Sequence, residues 1–316
     1  VTAGWLLRRL GTIVLVLLIV SFTVFGITQL LPGNAAVMIL GEFATADQRH
    51  AMELAMGLND PWYQQYGHWL GNILRGDWGM SAGLSRPVAS LVGDALGRSA
   101  ILAGATLVTV CLVATPIGVA GALLRGTVFD LVIGLVAYLG ASVPEFVTAT
   151  LLLVVVAGPD TGWLPAGGFT PAADGLGQFA LHMVLPVATL SLILVAHLSR
   201  QIRSEMGEVL GSDYIRAAQV KGLTRTRIVL VHALRNALAP AVAVLSLDVG
   251  YLLGGILVVE EVFAWPGLGR LLIYAVQNRD LVVMQAATLV MAAAYTMSNL
   301  AADIIIAKLD PRVHYA

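Results

Sequence analysis

Apolar residues in this chain fall in long unbroken runs, not at the three-and-four spacing of an amphipathic helix or the alternation of a half-buried strand. Six runs stand out, over residues 10–31, 99–124, 130–157, 182–198, 236–259 and 281–307. Several reach the roughly 20 residues a helix needs to cross about 30 Å of hydrocarbon. The pattern predicts an all-α polytopic membrane protein with six transmembrane helices. Pro144 interrupts the third run and Pro186 the fourth. Both are expected to kink a span without ending it, because neighbouring groups or water can satisfy the carbonyl that proline frees.

Polar positions between the runs set the orientation, since Lys and Arg are retained on the cytoplasmic side. With the N-terminus inside, inner segments hold twelve of the 18 basic residues and outer segments six. The contrast is sharpest between residues 158–180, which have no Lys or Arg, and 199–235, which have seven. Both termini are therefore expected in the cytoplasm. Arg8 and Arg9 before the first run resemble the start of a secretory signal, but the run continues to residue 31 and meets Pro32-Gly33-Asn34 without a small-residue cleavage pattern. It reads as a retained first span.

The expected organisation is a first segment and span over 1–31, an extracytoplasmic region over 32–98, a permease core over 99–307 and a cytoplasmic tail over 308–316. In the outer region Thr45 with Gln48 forms a capping-box pattern for a helix ending near Gly57, and Asp60-Pro61 fits the start of another. The second carries Trp62, Tyr63, Tyr66 and Trp69, suited either to the headgroup boundary or to a small outer core. The inner segment 199–235 is too long for a tether. Its basic residues interleave with Ile202, Met206, Val209, Leu210, Tyr214, Ile215, Val220 and Leu223 at spacings that fit short amphipathic helices.

Composition agrees: the chain is 58% hydrophobic and 12% charged, with a net charge of −1. Cys111 is the single cysteine, which excludes an internal disulfide and a cysteine metal cluster, and it is expected to pack as a small hydrophobe. Lys221 precedes Gly222 and Lys308 precedes Leu309, so neither lysine completes a phosphate-cradling loop. No His-Glu-x-x-His pair is present, and the six histidines are scattered. A catalytic role, a bound metal and a nucleic-acid partner are not expected, and lipid is.

The inner segment contains Asp213-Tyr214-Ile215-Arg216-Ala217-Ala218-Gln219-Val220-Lys221-Gly222-Leu223. Two alanines followed four residues later by glycine let a short helix approach another protein closely and then turn. An ordinary helix-turn-helix in a solvated loop has the same local pattern. The stretch resembles the cytoplasmic coupling loop of binding-protein-dependent ABC importer permeases, with Arg216 where the general pattern has Glu. Further matches point to the peptide and nickel branch. They comprise Arg8-Arg9-Leu10, Leu31-Pro32-Gly33 with Asn34 where Asp is usual, Gly76-Asp77-Trp78-Gly79-Met80-Ser81, Arg86-Pro87-Val88, Glu260-Glu261-Val262-Phe263, Pro266-Gly267-Leu268-Gly269, Asn278-Arg279-Asp280 and Leu309-Asp310-Pro311-Arg312.

The resemblance implies a type I importer permease pairing with a homologous but different permease subunit. It also implies two cytoplasmic ATPase subunits that bind ATP and Mg, and an extracytoplasmic substrate-binding protein. The expected cargo is dipeptides or short oligopeptides. Tyr214, Arg216, Ala217, Ala218, Lys221, Gly222 and Leu223 would then contact an ATPase subunit. Asp248, alone in an apolar run, is a candidate for the substrate path, where it would attract a peptide's amino terminus; capping a kink and pairing with an adjacent subunit are its other readings. Glu260, Glu261, Pro266, Gly267 and Gly269 are candidates for the outer mouth or gate. The rival class is a secondary transporter or channel driven by an ion gradient, which favours intramembrane relay carboxylates and an inverted repeat. The chain offers one clear mid-span carboxylate and no repeat.

Overall fold

A computed structural model describes residues 3–30, 60–159 and 161–309, together with positions 45, 47, 48, 50 and 54. The Pro32-Gly33-Asn34 stretch and the Asp310-Pro311-Arg312 tail lie outside those residues. Of the helix expected near Thr45, the capping box is described: the Thr45 amide donates to Gln48 Oε1 at 3.0 Å and the Gln48 amide to Thr45 Oγ1 at 3.3 Å.

The described elements are helical, apart from one antiparallel bridge between Met80 and Pro87. They are α1 (Ala3–Leu30), α2 (Trp62–Leu74), α3 (Val88–Leu123), α4 (Val128–Ser142), α5 (Glu145–Val156), α6 (Leu176–Leu210), α7 (Asp213–Val220), α8 (Leu234–Val262), α9 (Leu268–Gln277) and α10 (Leu281–Leu309). A turn at Arg225–Arg227 and a π-helical segment at Ile228–Ala233 lead into α8. Five helices are long and apolar enough to cross a membrane, and a sixth span exists if the bent pair α4 and α5 counts as one.

That pair corrects the reading of Pro144 as a kink. The two helix axes differ by 103°. Val143 is extended at φ −90° and ψ 125°, as a residue before proline prefers, and Pro144 becomes the N-cap of α5. Glu145 in the first turn of α5 favours a fresh helix start through the helix dipole. Pro186, with no such acidic start behind it, stays inside α6. Helices also overrun their apolar runs: α3 begins at Val88 rather than 99, and α6 covers Leu176–Leu210 rather than 182–198. Hydropathy detects the part of a helix that lipid requires and misses its polar extensions.

The chain divides into two compact units. The first comprises residues 1–6, 99–266 and 297–316. Its core joins Val110 and Ala114 of α3, Ala149 of α5, Leu190, Leu194, Ile202 and Met206 of α6, and Leu252, Ile256 and Val259 of α8. Arg203 of α6 holds Asp130 of α4 through two parallel bonds, Nε to Oδ1 at 2.6 Å and Nη2 to Oδ2 at 2.7 Å. Asp130 also accepts from the Gly126 amide, so the ion pair pins the start of α4. Phe129, Leu131, Val132, Leu135 and Val136 are exposed on α4, a face suited to lipid. Cys111 is likewise exposed, not packed within the chain as expected.

The second unit comprises residues 7–98 and 267–296. Val88, Leu91, Val92 and Ala95 pack with Leu268, Ala275, Val283, Ala286 and Ala287. Asp280 organises it: Oδ2 accepts from the Ser81 hydroxyl at 2.6 Å, and Oδ1 accepts from the Val283 amide at the start of α10. The aromatics of α2 divide between the two expectations. Tyr66 and Trp69 stack on Phe25 of α1, whereas Trp62 and Tyr63 are more than half exposed. Hydroxyls inside spans donate to their own helices, as Thr106 does to Leu102 and Thr189 to Leu185, whereas the buried Ser191 hydroxyl of α6 has no partner among the described residues.

Candidate functional site

The basic segment 199–235 folds as a helix, a turn and a second helix. α6 extends past its apolar part to Leu210, and Gly211 and Ser212 reverse the chain into α7. Over eight residues α7 cannot be stable by itself and needs tertiary anchorage. Ile215 supplies it, fully buried, with Ala218 and Leu223 packed against the same core. The opposite stripe, Asp213, Arg216, Ala217 and Val220, follows the spacing of one helix face and is exposed; Val220 is 89% exposed. Tyr214 Oη accepts from Asn236 Nδ2 at 2.8 Å, tying α7 to the start of α8. The Arg216–Asp213 pair at 3.5 Å is exposed on both sides and contributes little to stability.

The end of α7 is a Schellman motif. The Leu223 amide reaches the Ala218 carbonyl at 3.3 Å and the Gly222 amide the Gln219 carbonyl at 2.9 Å. Closing this motif puts Gly222 at φ +76°, where a side chain is strained, although nothing lies within 4 Å of a Cβ built there. The glycine is required by backbone angle, not by space. Val220, Lys221 and Gly222 thus form an exposed apolar and basic tip, and Leu223 turns back into the core.

The candidates at the far end of α8 are placed differently. Glu260 has no exposed surface, and the Ser99 hydroxyl donates to its Oε1. It is an interior anchor in this chain and offers no contact to a delivery protein. Glu261 is exposed, Pro266 half-buried, and Gly267 and Gly269 are buried, Gly267 as the N-cap residue of α9. α8 ends in a second Schellman pattern, with Trp265 bonding back to Glu260 and Ala264 held at φ +52°. Trp265 is fully buried against Phe169 at 5.0 Å between ring centroids.

Asp248 is buried near the middle of α8, with His197 Nδ1 of α6 at 3.3 Å from Oδ1. Its Oδ2 has no hydrogen-bond partner among the described residues. Two turns further on, Gly255 lies directly under the Glu145 carboxylate, which a Cβ there would strike. Glu145 was missed in the sequence, where the adjacent Pro144 drew the attention; a carboxylate inside an apolar run was its available signal.

The arrangement defines a class: an α-helical membrane permease that carries an anchored helical knob, exposed on one face, on a basic hairpin. The chain belongs to the family described as the binding-protein-dependent transport system inner membrane component, which matches residues 114–315, and its N-terminal component matches residues 3–93. It is 36% identical over 310 residues to a putative peptide transport system permease protein of Brucella suis biovar 1, covering 98% of both chains. It is 35% identical to the dipeptide transport system permease protein DppB of Escherichia coli K12, again over 98% of each. Its fold is similar to a chain of the MetNI methionine ABC transporter in an inward-facing form, with a TM-score of 0.57 at 17% identity, over 72% of this chain and 100% of that one. This is an ABC importer permease, and the ion-gradient transporter reading is set aside.

Proposed function

We propose that this chain forms half of a translocation path for dipeptides or short oligopeptides and transmits motion from cytoplasmic ATPase subunits through α7. The observation carrying the proposal is the exposed stripe of α7 on a buried Ile215 anchor, closed by Gly222. A knob held by its own core and bare on its other face is built to enter a groove of another protein. Tyr214, Arg216, Ala217, Ala218, Lys221, Gly222 and Leu223 form that knob and its support. Peptide cargo is supported by the names of the Brucella and E. coli relatives. In this reading ATP and Mg belong to the partner ATPases, a homologous permease completes the path, an extracytoplasmic binding protein delivers cargo, and both termini are cytoplasmic in a bacterial inner membrane. Asp248 lines the path, with Glu261, Pro266, Gly267 and Gly269 around its outer mouth. The α7 knob would move with ATP-driven closure and bias the path between inward-facing and outward-facing states.

The test is Val220→Asp. The variant chain should insert and assemble with its permease partner, because Val220 touches nothing in its own core, yet lose the co-purified ATPase subunits and ATP-driven uptake. Retention of both would refute docking through α7.

A further inference from the structure

We infer that Glu145 and Asp248 are two successive holding points for the ammonium group of a transported peptide. The inference rests on the peptide-permease reading above.

Asp248, Tyr251 and Gly255 recur at helical spacing and occupy one face of α8. The Glu145 carboxylate lies on Gly255, and Asp248 lies two turns away, about 10 Å along the axis. Tyr251 is between them and within electrostatic reach of both carboxylates. Gly255 permits the approach because any side chain there would collide with Glu145.

The charge on this face is unbalanced. Glu145 has no cation and no hydrogen-bond donor among the described residues. Asp248 is 6% exposed, has the His197 ring on one oxygen, and its other oxygen is buried with no partner among the described residues. Carboxylates inside membrane spans are costly, and the bare, buried oxygen of Asp248 costs further, whereas Glu145 is half-buried. Two carboxylates on one face, one bare and one half-buried, select for a cation that arrives and leaves. The described residues contain no group of three metal-ligating side chains, so a resident metal ion does not fit. A primary ammonium does: it carries three donors and one charge, and every peptide with a free amino terminus brings one. Two stations also serve transport better than one deep site, since each holds the charge loosely enough to release it. Neither Ser99 nor Glu260, which satisfy each other, contributes.

The test uses the complete transporter with its partner subunits in proteoliposomes, supplied with loaded binding protein, reading labelled dialanine uptake and ATP hydrolysis in parallel. Glu145→Gln and Asp248→Asn should each lower uptake about tenfold or more, while hydrolysis stimulated by the loaded binding protein stays within about twofold of wild type. Asp248→Glu should recover most of the uptake. Because the two neutral variants sit on different helices, misassembly of one leaves the other to decide. Wild-type uptake in both neutral variants overturns the stations, as does a parallel fall of uptake and hydrolysis in assembled complexes. A wild-type complex that imports no peptide overturns the peptide reading and the stations with it; a wild-type complex that imports peptide confines any failure to the stations.

Discussion

At Gly222 a single dihedral angle carries the functional reading. Its φ of +76° places the Leu223 and Gly222 amides on the last carbonyls of α7, and a non-glycine residue there costs about 1–2 kcal/mol. Gly222→Val should abolish ATP-driven uptake, whereas Gly222→Asn should retain a measurable part, since Asn tolerates left-handed angles. Peptide affinity of the separate binding protein, followed by calorimetry, should be the same for all three. Equal uptake by the Val and Asn variants would remove the backbone explanation. Ile215 is the other decisive residue: Ile215→Ala should destabilise docking of α7 by about 2–4 kcal/mol, seen as faster protease cleavage near Lys221 in the purified complex. Alanine spacing pointed to this turn from the sequence alone. The burial of Ile215, rather than its equally apolar neighbour Val220, depended on how α7 sits against α6 and α8, and no local pattern ranks the two.

Elements here are joined by polar clamps as well as by apolar burial, as expected where lipid competes for apolar faces. The fork between Arg203 and Asp130 links α6 to α4 just below the hairpin. Asp130→Ala and Arg203→Ala should each reduce the yield of assembled complex, because each leaves an uncompensated charge. The charge-swapped double variant, Asp130→Arg with Arg203→Asp, should recover part of it, and a double variant worse than either single change would show that the pair is not coupled. At the end of α8, Ala264 occupies a left-handed angle that the closing motif demands. Ala264→Gly should therefore raise stability in detergent by less than about 1 kcal/mol, the relief of strain being offset by the freedom glycine has when unfolded. The break at Pro144 was visible as a proline. That it ended the helix follows from the extended Val143 and the acidic start at Glu145, whereas the meeting of Glu145 with Gly255, two residues more than a hundred positions apart, is a tertiary feature.

For the whole molecule, the proposed topology puts the tip of α7 and the end of α8 on opposite sides of the membrane. Cys111 is exposed, so it must first be replaced by Ser. In that background an impermeant maleimide should label Gln219→Cys only in inside-out vesicles and Glu261→Cys only in right-side-out spheroplasts, both positions being exposed. Labelling of both from one side would overturn the orientation and the coupling role together. The division into two units also matters at this scale, since it assigns the first part of α3 and most of α1 to a body distinct from the one that carries α7.

The succession of long apolar runs sufficed to determine that the chain is a helical membrane protein of five or six spans, and the asymmetry of Lys and Arg with the Ala-Ala-x-x-x-Gly turn singled out the segment proposed to face the ATPases. Those are local or additive properties, set by what lipid and water each accept along a helix. Only the tertiary structure decided which apolar residue anchors α7, that Glu260 is interior while Glu261 is exposed, and that Glu145 joins the face carrying Asp248. These depend on which helix lies beside which, a pairing that lipid leaves free and that small residues and polar contacts resolve.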